Sequence, residues 1–173
     1  VSINPTGPLH VAHARGAVIG SALANILEAA GYEVQREYYF NDAGNQIDQF
    51  HRSLYARYLQ LFGDAVEVPP DGYVGEYMVD LARELKKEHG DRFRSMTEQD
   101  AVRELGALGL ERMLEANRAD VALLRIRYDV WFSERSLYRD GQYERSMKIL
   151  SDGGFVADKD GATWFTATDL GAD

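Results

Sequence analysis

"SINPTGPLHVAHARG", residues 2–16, is the stretch on which the fold turns. Asn4-Pro5-Thr6-Gly7-Pro8 is turn chemistry, because proline fixes one backbone angle and glycine opens angles closed to other residues. Residues 1–4 before it read as a short extended segment, with Val1 placed in the middle of a strand. After it, Ala14, Ala17, Val18, Ala22, Leu23, Ile26 and Leu27 recur at helical spacing between His13 and Ala30, which predicts a helix. Gly31 ends that run as a C-cap. "EVQREYYF", residues 33–40, is rich in β-branched and aromatic residues and reads as a strand. Strand, helix and strand in that order make a parallel βαβ unit with a right-handed crossover.

The loop therefore leaves the C-terminal end of a parallel strand and enters a helix N-terminus, where α/β folds hold phosphates. Such a helix end offers unpaired N–H groups and partial positive charge. His10 and His13 fall one turn apart on the same face. Two imidazole donors there can bind phosphate oxygens and follow charge as it builds on phosphorus. The same pair also fits a plain capping role, and the spacing alone leaves both readings open. A histidine metal centre lacks a third ligand, since His51 and His89 are isolated, so no protein-bound metal is expected. Neither a GxxxxGKS/T phosphate loop nor a GxGxxG fingerprint occurs.

Further along, Asn41 or Asp42 is placed to cap a second helix that runs toward Phe62. "GDAVEVPPDG" (63–72) is a loop, and a third helix from Val74 to Glu88 ends at Gly90. Thr97 with Asp100 resembles a capping box and opens a long helix toward Arg125. "DVWFSE" (129–134) reads as a strand, residues 141–150 as a helix, and "GFVADKDGATWFTATD" (154–169) alternates around Asp160-Gly161 as a hairpin. The predicted fold is α/β: a partial Rossmann-like nucleotide-binding core with a mostly helical insertion and a C-terminal hairpin. Residues 1–62 would be the first βαβ part of the core and 63–127 the helical insertion. Residues 128–173 would return to the core with a strand, a helix and the hairpin.

Composition sets wide limits. The chain has 173 residues, 45% apolar and 27% charged, with a formal net charge of −9, an ordinary profile for a globular protein. That charge argues against a surface given over to nucleic-acid phosphates. Cysteine is absent, which excludes disulfides and thiolate metal sites and fits a cytoplasmic setting. No apolar run approaches the ~20 residues of a membrane span, so no membrane partner is expected. Val1 in mid-strand and the abrupt "TDLGAD" ending read as an excised piece, truncated at both ends. A half-built sheet would leave an open edge and exposed apolar surface, which favours self-association.

Taken whole, "NPTGPLHVAHARG" resembles the nucleotide-binding segment of the class I aminoacyl-tRNA synthetases, whose HIGH motif is His10-Val11-Ala12-His13 here. More narrowly, it resembles the arginyl-tRNA synthetases. "GYEVQREYYFNDAGNQI" (31–47), "YDVWFSERSLY" (128–138) and "DGATWFTATDLGAD" (160–173) match later landmarks of that family. The resemblance runs end to end, more loosely over 63–119. It implies an enzyme that joins arginine to ATP as arginyl-adenylate and then charges tRNA(Arg). By motif match, His10 and His13 are the catalytic pair, and Gly7, Pro8 and Ala12 line the ATP site with them. Asn4 would hold arginine's main-chain amino or carboxylate group, with Ser2 in the same pocket. The resemblance further implies ATP as substrate with Mg2+ on its phosphates, and a bound tRNA that the family usually needs even for the first step.

Two departures from the family follow. Ala12 replaces the HIGH glycine where the adenine ring approaches the backbone. The sequence also contains no KMSK-type loop, none of the later tyrosine and aspartate contacts to the guanidinium, and no anticodon domain, so the piece alone is expected to be inactive. Two other readings remain at this point: a different nucleotidyltransferase of the HIGH superfamily, and a non-catalytic, synthetase-derived binding module. Asn41 and Asp42 end the second strand, where ligands bind, or else merely cap a helix. Trp131, Phe132 and one of Tyr38 and Tyr39 are expected in the core. Arg83, Lys86, Lys87, Arg92 and Arg94 form the densest basic cluster, read as helical ion pairs with interleaved acids or as a face toward tRNA.

Overall fold

The computed structural model describes residues 2–171; the strand position expected at Val1 lies outside them, as do residues 172 and 173. The chain divides into two compact units between Ser133 and Glu134. In the first, the proline-rich loop delivers helix α1 (Val11–Ala29), whose N-cap is His10. Gly31, at φ +89°, then takes the left-handed turn that lets the chain reverse. Strand β1 (Glu37–Phe40) follows and pairs in parallel with β2 (Val130–Ser133), Tyr38 opposite Trp131 and Phe40 opposite Ser133. On the other side of β1, Ser2 makes a parallel bridge to Tyr39, and the Ile3 N–H donates to the Tyr39 carbonyl at 3.3 Å. Among the described residues the expected first strand is thus reduced to this one bridge, which runs parallel to β1 as a βαβ unit requires.

Strand β1 is half as long as expected, and just before it Arg36 has partners of a different kind. Its guanidinium grips Glu28 with two bonds of 2.6 and 2.8 Å and Asn25 with one of 2.9 Å, and its N–H donates to the Asp129 carboxylate at 2.8 Å. The buried arginine thus ties α1 to the start of both strands by a charge-assisted fork. Tyr38 is fully buried and stacks on Trp131 at 4.3 Å, while Tyr39 stacks on Phe132 at 5.8 Å with both rings half-buried.

Three helices separate the strands: α2 (Asn45–Gln60), α3 (Glu76–His89) and α4 (Glu98–Leu123), with a 3-10 turn at Arg92–Ser95. Ile47, Phe50, Leu54 and Tyr58 of α2 recur on one face and pack with Met78, Leu81 and Leu85 of α3 and Leu105 and Leu110 of α4. The Thr97 hydroxyl caps α4, accepting from the Asp100 N–H at 3.2 Å as expected. Farther along α4, Leu114 and Val121 turn to the sheet and to α1, meeting Tyr38 and Ala17 respectively. The basic cluster is held mostly within this unit. Only Arg83 pairs at helical spacing, with Asp80 at 2.7 Å. Arg92 reaches Glu104, Arg94 reaches Asp64, and Lys86 donates to the Leu61 carbonyl at 2.7 Å.

The second unit contains α5 (Glu134–Arg139), which sequence patterning did not indicate, then α6 (Gln142–Asp152) and the antiparallel hairpin of β3 (Val156–Lys159) and β4 (Ala162–Phe165). Asp160 and Gly161 take φ +54° and +77°, the two left-handed residues of a tight hairpin turn. No described residue of this unit is buried.

Candidate active site

Parallel strands deliver their C-terminal ends to one edge, and the sequence places polar residues there. Asn4 follows the Ser2 bridge, Asn41 and Asp42 follow β1, and Ser133 ends β2. Two separate hydrogen bonds hold parts of this rim. Asn4 Nδ2 donates to Gln46 Oε1, and the Ser133 hydroxyl donates to Asp42 Oδ2 at 2.6 Å. Asn41 and Asp42 do not cap α2, contrary to the capping expectation. Asn41 Oδ1 accepts from the Ala43 N–H at 3.1 Å in a local turn, and Gly44, at φ +85°, is the N-cap. Asp42 is buried against Ser133 and faces the strand ends instead. Gln46 and Ser133 carry no local signal in the sequence; their bonds span 42 and 91 positions, and strand register brings Ser133 to the rim while the start of α2 brings Gln46.

The loop from Asn4 to His10 crosses this rim. Pro5 and Thr6 are buried, Gly7 is half-buried and Pro8 is exposed. At its end the two imidazoles lie together at the start of α1, ring centroids 3.5 Å apart and planes 25° from parallel. His10 is exposed and His13 half-buried. The His10 N–H donates to His13 Nδ1 at 3.4 Å. An accepting Nδ1 puts the His13 proton on Nε2, which leaves that N–H as a donor for a ligand. Ala12 lies beside it in the first turn, exposed. A cavity of 240 Å³ between α1 and the start of β1 is lined by Ala17, Ala24, Arg36 and Tyr128 and includes none of the expected site residues.

Desolvation holds the His13 imidazole below its usual range, and repulsion from His10 lowers it further. Above the unfolded value His13 is neutral in folded and unfolded chains alike. As pH falls below it, the unfolded chain takes up the proton first, so the neutral His13 of the folded state loses its stabilising share. In a titration followed by the imidazole NMR signals, His13 is expected to protonate below the midpoint of a free histidine. His10→Ala removes the neighbouring charge and should move that midpoint upward; an unchanged midpoint would show that the stacked pair is not coupled.

With this geometry in place, comparison with known proteins is specific. The family model for the catalytic domain of class I tRNA synthetases (R) matches residues 1–173. The arginine–tRNA ligase of Dehalococcoides mccartyi strain BAV1 is 53% identical over 171 residues, covering 99% of this chain and 31% of that protein. The arginine–tRNA ligase of Carboxydothermus hydrogenoformans is 50% identical over the same share of both chains. A Campylobacter jejuni crystal structure assigned as an arginyl-tRNA synthetase superposes with a TM-score of 0.84 at 35% identity, covering 99% of this chain and 37% of that one. The chain thus spans about a third of the length of the curated relatives it matches.

Proposed function

The chain belongs to the class I arginyl-tRNA synthetase family, as part of its catalytic domain, and from that premise we propose that it is the ATP- and arginine-binding segment of an arginine–tRNA ligase. In the first step a carboxylate oxygen of arginine bonds to the α-phosphorus of ATP. The bond from that phosphorus to the bridging oxygen breaks, and pyrophosphate leaves. In the second, the arginyl carbonyl passes to a terminal ribose hydroxyl of tRNA(Arg), and AMP departs. No covalent enzyme intermediate is involved, so the protein acts by position and charge stabilisation.

The observation that carries this reading is the stacked His10–His13 pair at the N-terminus of α1, beside the C-terminal edge of a parallel sheet. His13 Nε2–H and His10 are the donors to the triphosphate, with the free N–H groups of the α1 first turn behind them. Gly7 and Pro8 shape the approach to the phosphates, and Ala12 presents its methyl group on the adenine side. Asn4, steadied by Gln46, holds arginine's main-chain end, and Ser2 lines the same pocket. Asn41 and Asp42 close the rim. Mg2+ arrives on the ATP phosphates as part of the substrate. No helix among the described residues is long and apolar enough to cross a membrane, and the proposed setting is the cytoplasm. The exposed Ile19, Leu23 and Ile26 of α1 support self-association of the isolated chain.

The test is pyrophosphate–ATP exchange by the full-length protein with tRNA(Arg) present. Exchange that requires arginine is expected, and exchange driven by a different amino acid would sink the reading. The 173-residue chain alone is expected to give none, since it spans about a third of the length of its ligase relatives.

A further inference from the structure

Tyr77 lies in the first turn of α3, yet its hydroxyl donates to the Thr6 carbonyl at 2.8 Å, 71 positions away. Its ring also lies against Gly7, where an added Cβ would sit 3.4 Å from Cζ and from the hydroxyl oxygen. A second glycine shapes the seat: a Cβ at Gly75 would fall 2.7 Å from Cε1 and 2.8 Å from Cδ1 of the same ring. Thr6 is only 8% exposed, so without this bond its carbonyl would be poorly solvated. The other side of Tyr77 packs on the core shared by α2, α3 and α4. Burial pushes its hydroxyl up to about 12, which keeps it protonated and donating.

We infer that Tyr77 is a positioning residue for the nucleotide-binding loop, through which the helical bundle fixes the path of the chain from Asn4 to His10. This rests on the roles proposed above for Asn4, His10 and His13. The loop has no helix or strand of its own between Ile3 and Val11, so the spacing between the arginine end and the phosphate end of the site is set by what the loop leans on. Tyr77 supplies both a hydrogen bond to its carbonyl and a wall beside its glycine. A shift of the Thr6–Gly7 peptide would displace the imidazoles relative to Asn4 while leaving each residue intact, and misplacement of that kind weakens catalysis without removing a catalytic group.

The test compares Tyr77→Phe, Gly75→Ala and the double variant in the full-length protein. Tyr77→Phe keeps the ring and loses the bond; Gly75→Ala keeps the hydroxyl but drives the ring off its seat. Each is expected to lower kcat/KM for arginine-dependent pyrophosphate exchange about tenfold, the worth of one such bond. The double variant should be little worse than either, because both act through one contact. The backbone amide of His10, whose N–H is held by His13 Nδ1, should exchange hydrogen about tenfold faster in Tyr77→Phe. Variants that unfold more easily but keep wild-type kcat/KM and wild-type loop exchange would overturn the inference, as would additive losses in the double variant. If Tyr77→Phe does not fold, Gly75→Ala carries the same two measurements. A wild-type protein without exchange activity would fail the ligase reading instead, and the amide rates would still decide whether Tyr77 holds the loop.

Discussion

His13→Ala in the full-length protein is expected to slow arginyl-adenylate formation by about 10²- to 10³-fold, the loss that follows removal of one donor aimed at developing charge. The imidazole is half-buried at the start of α1, and the His10 N–H donates to its Nδ1. Its remaining donor, Nε2–H, is therefore fixed in tautomer and direction. Alanine removes that donor while leaving the helix N-terminus and its free amides in place. Ground-state ATP binding keeps those amide contacts, so the effect should fall on kcat more than on KM. Stability should change little, because the exposed His10 N–H regains a water partner once the ring is gone. Pre-steady-state formation of the adenylate, with arginine and tRNA(Arg) saturating, is the measurement. A loss confined to KM would make His13 a capping residue that only helps to bind nucleotide, and a loss under tenfold would remove it from the chemistry.

The loop and helix start that frame the candidate site are local in sequence and legible there. Pro5, Gly7 and Pro8 marked the loop, and the helix after it begins within two residues of its expected start because nothing but backbone and side-chain spacing decides it. Thr97 with Asp100 and Asp160-Gly161 were equally readable, since each is a motif completed within a few residues. One failure is a local competition, and the others are long-range. Asn41 looked like a cap, but its side chain serves its own turn and Gly44 takes the helix start. Arg36 looked like strand, but its N–H donates to the Asp129 carboxylate, 93 positions away, instead of to a neighbouring strand. In α1 the apolar spacing marked a helix without marking its buried face: Ala17 and Ala24 are buried, whereas Val18, Ile19, Leu23 and Ile26 are exposed. Small residues allow the close approach to Val121 and Ile126 that larger ones would block. Gln46, Tyr77 and Ser133 carry no local signal, because each acts on a residue brought to it only by the fold.

Gly106→Ala is expected to destabilise the chain by about 1–3 kcal/mol, the usual cost of overfilling a packed interface. Helix propensity points the other way: in the interior of a 26-residue helix such as α4, alanine should gain about 1 kcal/mol over glycine. Geometry decides the sign. A Cβ at Gly106 would lie 2.1 Å from His51 Cγ, 2.3 Å from Cδ2 and 2.6 Å from His51 Cβ. Rotating the imidazole relieves the ring contacts but not the one to Cβ, which moves only with the α2 backbone. At Gly109 an added Cβ would meet Leu54 Cδ2 at 2.2 Å, the far end of a side chain, so Gly109→Ala should cost less although Leu54 is fully buried. The neighbouring exposed Ala107 isolates propensity: Ala107→Gly should lose about 1 kcal/mol with no change in packing. Urea unfolding of the three variants separates the two effects. If Gly106→Ala unfolds at higher urea than the parent, α2 and α4 are not as close as 2.6 Å requires, and the helical bundle is softer than its glycines indicate.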